Sequence, residues 1–279
     1  MGQIDLRFPL GLSRALTLSY DDGVEQDMKL IGILQKHGLK CTFNLNSGAY
    51  SPEGTVFKPG TIHRRMSKSM VTQTYKGSGM ETAIHGLTHP SFVGMPPAMM
   101  AYEILTDKIN LENQFGTIVK GAAYPYGSYD SEVINTLKSC GIGYCRTVCS
   151  THNFYLPQNW LTLNPTCHHN DPELMDLLNR FISGDNGREA HMFYLWGHSY
   201  EFEENNNWEL IEKFAEKAGG NKDIWYATNG EIYDYVQDFN RLVWSADGRQ
   251  VFNPNYRDIW FSLDYKLYSI KPGEKMNID

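Results

Sequence analysis

Along this chain, short runs rich in β-branched and aromatic residues alternate with longer stretches whose apolar residues recur every third or fourth position, the periods of strand and helix. A first strand is predicted at Ala15 to Ser19, in a run that ends at Tyr20-Asp21-Asp22-Gly23. A helix follows near Gln26 to Lys36, with Met28, Leu30, Ile31 and Leu34 on one side and Gly38 past its end. The unit then repeats. Further strands are predicted at Cys41 to Asn46, Thr82 to Ile84, Val119 to Ala123, Gly143 to Thr147, Leu161 to Thr166, His191 to Trp196 and Ile224 to Ala227. Helices are predicted at Met66 to Tyr75, after Pro96-Pro97 with Tyr102, Leu105, Ile109 and Phe115 in phase, at Ser131 to Cys140, from Asp171-Pro172-Glu173, at Trp208 to Ala218 and at Gly230 to Val236.

Strand and helix alternate about seven times, which predicts a parallel α/β barrel. Residues 1–13 read as a lead-in. Past Phe239 the pattern changes to short β runs, with Asp247-Gly248 as a hairpin turn. So short a tail cannot bury a core of its own, so a barrel over 1–239 with a small antiparallel appendage over 240–279 is expected.

A length of 279 residues suits one such barrel, and the net charge of −7 without a basic run argues against nucleic acid or an anionic membrane as partner. The five cysteines, Cys41, Cys140, Cys145, Cys149 and Cys167, are odd in number and form no C-x-x-C pair, which points to a reducing compartment and away from a structural zinc site. No leader pattern opens the chain and no run is long enough to cross a bilayer, so a cytoplasmic location is expected as written, or a secreted one if a leader has been removed. The surplus of tyrosine, tryptophan and phenylalanine suits the apolar faces of sugar rings.

Candidate chemistry sits at the strand ends, where α/β folds display it. Taken alone, Asp21 or Asp22 reads as a helix cap. The second strand-like block changes this, because it runs into His85-Gly86-Leu87-Thr88-His89, with both imidazoles expected on one face of a helical turn. One carboxylate and two imidazoles form a three-ligand set for zinc or a similar divalent ion. Ala123-Tyr124-Pro125-Tyr126 and the late strand ending at His198 close in the same manner.

These blocks, in this order, resemble the polysaccharide deacetylases, the NodB-homology proteins of carbohydrate esterase family 4, over roughly residues 14–236. The resemblance implies an irregular (β/α)7 TIM-like barrel and a metal-dependent hydrolase that removes N-acetyl or O-acetyl groups from a sugar or short glycan. It implies Asp22, His85 and His89 as ligands of a divalent ion, zinc foremost with cobalt or nickel as alternatives. It further implies Asp21 as base, His198 as acid, and the backbone N–H of Tyr126, beside Pro125, as oxyanion donor.

Two departures stand out. The arginine of the family's third motif is Ala123 here, and Arg146 on the next strand end is the candidate to supply that charge beside Asp21. The acidic residue and tryptophan expected near the acid histidine are also displaced: Trp160 and then His168-His169-Asn170-Asp171 occur, with Asp171 read as a helix cap. Trp160, Trp196 and Tyr200 are candidate pocket walls, and His168 and His169 are candidate pocket residues. His37, His63, His152 and His191 are read as structural. Two other functions are weighed: an allantoinase-like hydrolase of a non-sugar amide or ureide, and a carbohydrate-binding protein that has lost catalysis. The set Asp21, Asp22, His85, His89 and His198 argues against the latter, since a binder needs neither base nor acid.

Overall fold

The computed structural model describes residues 3–184 and 189–278. In chain order its elements are β1 (Ile4–Arg7), β2 (Arg14–Asp21), α1 (Asp27–Lys36), β3 (Cys41–Leu45), α2 (Lys68–Tyr75), β4 (Glu81–Ile84), α3 (Pro97–Phe115), β5 (Gly121–Ala123), α4 (Ser131–Ser139) and β6 (Tyr144–Arg146). There follow β7 (Cys167–His168), α5 (Leu174–Ser183), β8 (His191–Gly197), α6 (Tyr200–Glu204), α7 (Trp208–Ala218), β9 (Ile224–Tyr226) and α8 (Asn229–Asn240). Five short strands end the chain: β10 (Val243–Trp244), β11 (Gln250–Phe252), β12 (Ile259–Leu263), β13 (Lys266–Ile270) and β14 (Lys275–Asn277).

The centre is a curled parallel half-barrel in the order β6-β5-β4-β3-β2-β8-β7, with β9 paired to β2. One edge of β2 bonds β8; on the other, Arg14–Leu16 bond β9 and Leu18–Asp21 bond β3. Every residue of β2 is buried, as expected of a parallel strand covered on both faces. Its polar residues are accordingly partnered. Arg14 donates to the carbonyls of Phe181 (3.1 Å) and Ile182 (2.6 Å) at the carboxyl end of α5, where unpaired carbonyls carry partial negative charge. Between β6 and β7 lies the segment 147–166, joined to the sheet by a parallel bridge from Arg146 to Leu163.

Several expectations are corrected. Leu161 to Thr166 is not a strand: Asn159 Oδ1 caps a 3-10 turn at Trp160–Thr162 by accepting from Leu161 N (3.0 Å), and Pro165 has no N–H for a ladder. Only Cys167–His168 pairs with β8. Met28 faces outward on α1. The long helix α3 buries Met100, Ile104, Asp107 and Leu111, while Tyr102 and Ile109 are 63% and 52% exposed. The sequence conceals this phase because a buried carboxylate breaks the apolar stripe; Asp107 is buried because it accepts from the backbone N–H groups of Ser47 (2.8 Å) and His85 (3.2 Å).

The lead-in contains β1, which pairs antiparallel with β12, itself paired with β13. β10, β11 and β14 form a second small antiparallel sheet. Leu6, Phe8, Ile232, Tyr235, Phe261 and Ile270 belong to one apolar cluster joining these strands to the barrel. No helix among the described residues is long and apolar enough to cross a membrane.

Candidate active site at the carboxyl end of the strands

β2 ends in a strained turn. Asp22 adopts the left-handed region (φ 83°), uncommon for a non-glycine residue, and Gly23 follows at φ 65°. The two adjacent side chains therefore separate. Asp21 is 2% exposed: Asn44 Nδ2, from the paired position on β3, donates to its Oδ1 (2.8 Å), and Arg146 donates to its Oδ2. Burial acts to raise the Asp21 pKa, yet the charges of Arg146, His85 and His198 outweigh it and hold the carboxyl below its ordinary value. Arg146 is 1% exposed, with its guanidinium 4.3 Å from the centre of the Trp196 ring.

Asp22 is held from another direction. Arg65 donates to its backbone O and its Oδ1 (both 2.8 Å), and His63 Nε2 donates to its Oδ2 (3.1 Å). Burial again acts to raise the pKa; the His63 hydrogen bond and the charges of His85 and Arg65 prevail, keeping Asp22 well below the usual carboxylate range.

His85 directly follows β4, and His89 closes a tight turn rather than a helical one, with Gly86 at φ 77° and His89 at φ 61°. A Cβ at Gly86 would lie 3.1 Å from Pro90 Cδ and 3.2 Å from Phe92 Cζ, so a side chain there would be strained by the positive φ and crowded by both neighbours. Asn46 Nδ2 braces the turn by donating to the carbonyls of His85 (2.6 Å) and Gly86 (2.7 Å). The imidazoles still meet, with ring centres 4.7 Å apart. His85 Nδ1 lies 2.9 Å from the Ala123 carbonyl; a carbonyl only accepts, so the proton sits on Nδ1 and Nε2 is left with its lone pair. Burial lowers the His85 pKa to about 4, so the ring is neutral at physiological pH and bears on Asp21 and Asp22 as a charge only in the acid range where carboxylates titrate. One ligand atom each from Asp22, His85 and His89 lies within 4.8 Å of the others, a set that fits a divalent ion.

Across from this set, His198 Nε2 lies 3.8 Å from Asp21 Oδ2, and its Nδ1 donates to Glu201 Oε1 (3.1 Å). Burial would depress His198; the Glu201 hydrogen bond and the Asp21 charge outweigh it and raise the pKa. Glu201 also gathers His168 Nε2 (3.2 Å) and His169 Nε2 (2.9 Å) around Oε2. Asn170 N donates to His168 Nδ1 (3.1 Å), so the His168 proton sits on Nε2 and is directed at Glu201. His168, His198 and Glu201 also converge within 4.8 Å, but both imidazole N–H groups are already spent on the carboxylate, which makes this a hydrogen-bonded relay.

Tyr126 (φ 59°) is 68% exposed and sets its ring edge-on against His89, 4.7 Å between centres, while Pro125 is buried. Trp196 lies beneath Arg146 and edge-on to His168. Tyr200 touches both His63 and His198. Trp160 is a correction: its ring meets Tyr233, which packs on Tyr144 at the start of β6, so it lies at the opposite end of the barrel. Asp171 accepts from Glu173 N (2.9 Å) ahead of α5 and pairs with His152 (2.7 Å), away from His198.

Sequence reasoning missed His63, Arg65, Asn44 and Glu201. The His198-x-x-Glu201 spacing at the start of α6 was the one usable signal.

A family model described as polysaccharide deacetylase matches residues 12–145. An uncharacterized protein of Streptomyces coelicolor is 27% identical over 125 residues, covering 45% of this chain and 44% of that protein, so the match spans less than half the relative's length. A solved protein of Mycobacterium smegmatis, described as a candidate polysaccharide deacetylase, superposes with a TM-score of 0.60 at 15% identity, over 86% of this chain and 96% of that one. A family 4 carbohydrate esterase from Streptomyces lividans, solved with acetate, gives 0.52 at 16% identity over 77% and 93%. At these identities the structural likeness is one of fold.

Proposed function

From the kinship of this chain with the polysaccharide deacetylases, we propose that it is a metal-dependent hydrolase removing acetyl groups from an N-acetylated sugar or short glycan. The observation that carries this reading is the convergence of Asp22, His85 and His89 beside an ionised Asp21 and a His198 whose pKa is raised.

Asp22, His85 and His89 would hold the ion, with zinc foremost and cobalt or nickel as alternatives. When bound, such an ion acidifies water and polarises the acetyl carbonyl. Asp21 accepts the proton of the attacking water, oriented for this by Arg146 and Asn44. The guanidinium keeps Asp21 ionised in a buried site, and the ring of Trp196 shields that pair from solvent. His198 Nε2 delivers a proton to the departing nitrogen, while Glu201 fixes its tautomer from Nδ1 and stabilises its charged form. His168 and His169 keep Glu201 in register. The backbone N–H of Tyr126 donates to the developing oxyanion, and the exposed tyrosine ring offers an apolar face to a sugar.

Elemental analysis of wild type and of the His85→Ala/His89→Ala double variant tests this reading, together with acetate release from a chitooligosaccharide panel. A near-stoichiometric ion lost in the double variant, with acetate release by wild type only, is expected. Wild type that binds no ion after incubation with zinc, cobalt or nickel would sink the proposal.

A further inference from the structure

The segment between β3 and α2 reaches over the acidic turn and binds it with three consecutive side chains. Its backbone pairs with the turn, Glu25 N donating to Arg64 O (2.8 Å) and Met66 N to Gly23 O (3.0 Å). Arg64 forks onto both oxygens of Glu203 on α6 (2.8 Å each) and reaches Glu25 (2.7 Å). Gln26 Nε2 ties Ile62 O and Glu203 Oε2 (2.7 Å each). Arg65 spans Asp22 O, Asp22 Oδ1 and Asn46 Oδ1, each at 2.8 Å, and His63 takes the remaining oxygen of Asp22.

We propose that Arg65, assisted by His63, is a positioning residue of the metal centre, and that residues 61–65 form a strap holding Asp22 in its ligating conformation. The inference rests on the reading that Asp22, His85 and His89 hold a divalent ion. A non-glycine residue at φ 83° persists only where its surroundings over-determine it. A planar guanidinium that bonds the carbonyl and the carboxylate of one residue fixes backbone and side chain together. Asp22 Oδ1, the oxygen that Arg65 grips, is the one that lies 3.8 Å from His89 Nε2. The same strap reaches α6 through Arg64, so the acidic turn and the helix carrying Glu201 are tied to one segment.

Arg65 acts in two opposing directions. Its charge repels a cation, whereas its geometry orients a ligand, and the proposal is that geometry dominates. Cobalt(II) affinity, measured by competition with a chromogenic chelator, and the visible spectrum of the cobalt-loaded protein provide the test on wild type, Arg65→Met and Arg65→Lys. Unfolding midpoints of the metal-free proteins establish that each variant folds. Arg65→Met is expected to bind cobalt about 10–100-fold more weakly with an altered spectrum. Arg65→Lys should recover only part of the loss, because an ammonium cannot span both oxygens. Equal or tighter cobalt binding by Arg65→Met with the wild-type spectrum would overturn the strap and leave the hydrolase reading intact. If Arg65→Met does not fold, wild-type affinity and spectrum in Arg65→Lys would overturn it equally. Wild type that binds no ion would overturn both.

Discussion

The two ends of the parallel strands each hold a buried polar cluster, and the clusters are built on opposite principles. At the amino-terminal end, Glu81 accepts from Tyr144 Oη (2.7 Å), Thr42 Oγ1 (2.7 Å) and Gly230 N (2.9 Å). Beside it, Thr17 donates to Asn229, which donates to Tyr194 (2.6 Å). These groups close into hydrogen bonds, and none of their residues has a positive φ. At the carboxyl end, by contrast, Asp22, His89 and Tyr126 all sit in the left-handed region. There His85 Nε2 stays 3.7 Å from Asp21, while His89 and His198 stay 3.8 Å from the carboxylates they face. A cluster that satisfies itself is scaffold. One that holds the Nε2 atoms of His85, His89 and His198 beyond hydrogen-bond reach of the carboxylates they face, at a cost in backbone strain, is arranged for something other than its own stability.

Substitutions at the two ends should separate function from stability. The largest effect is expected at Asp21→Asn, which keeps the shape but removes the proposed base and leaves Arg146 buried without its anion. Acetate release should fall about 10²–10⁴-fold, while bound ion measured by elemental analysis persists through Asp22, His85 and His89. Full activity in Asp21→Asn would erase the proposed distinction at the mouth.

A smaller effect is expected at Glu201→Gln. Removing that charge withdraws the largest of the contributions that raise the His198 pKa against burial, leaving those of Asp21 and Asp22. The acid then loses its proton at lower pH, so the alkaline limb of the rate profile should shift to lower pH, with kcat down about 10–100-fold. A pH–rate profile coincident with that of wild type would show that Glu201 does not serve the acid.

Least affected in activity should be Glu81→Leu. Three donors at the other end lose their acceptor, so urea unfolding should report a loss of about 1–3 kcal/mol, while acetate release per folded molecule holds at the wild-type value. A large loss of activity in folded protein would mean that the two ends are coupled, and the contrast would need to be redrawn.

What could be read from the chain follows from locality. Strand and helix periods are properties of neighbouring residues, and parallel strands turn their carboxyl ends the same way. Residues that close a strand, such as Asp21, Asp22, His85 and His198, were therefore legible as one group before their distances were known. The helical turn expected between His85 and His89 was a small error of the same local kind, set right by Gly86 at positive φ. The inverted phase of α3 was a larger one: Asp107 looks like a surface residue until its partners, Ser47 N and His85 N, arrive from other elements.

Only the tertiary structure could decide the partners. That Arg146 reaches Asp21, that Arg65 and His63 grip Asp22, and that Glu201 rather than Asp171 serves His198 depend on how intervening loops cross the barrel mouth. The same holds for Trp160, sent to the far end by a turn that the strand pattern concealed. The physical reason is that a buried charge must be compensated, yet nothing in that requirement says where along the chain the compensating group must lie.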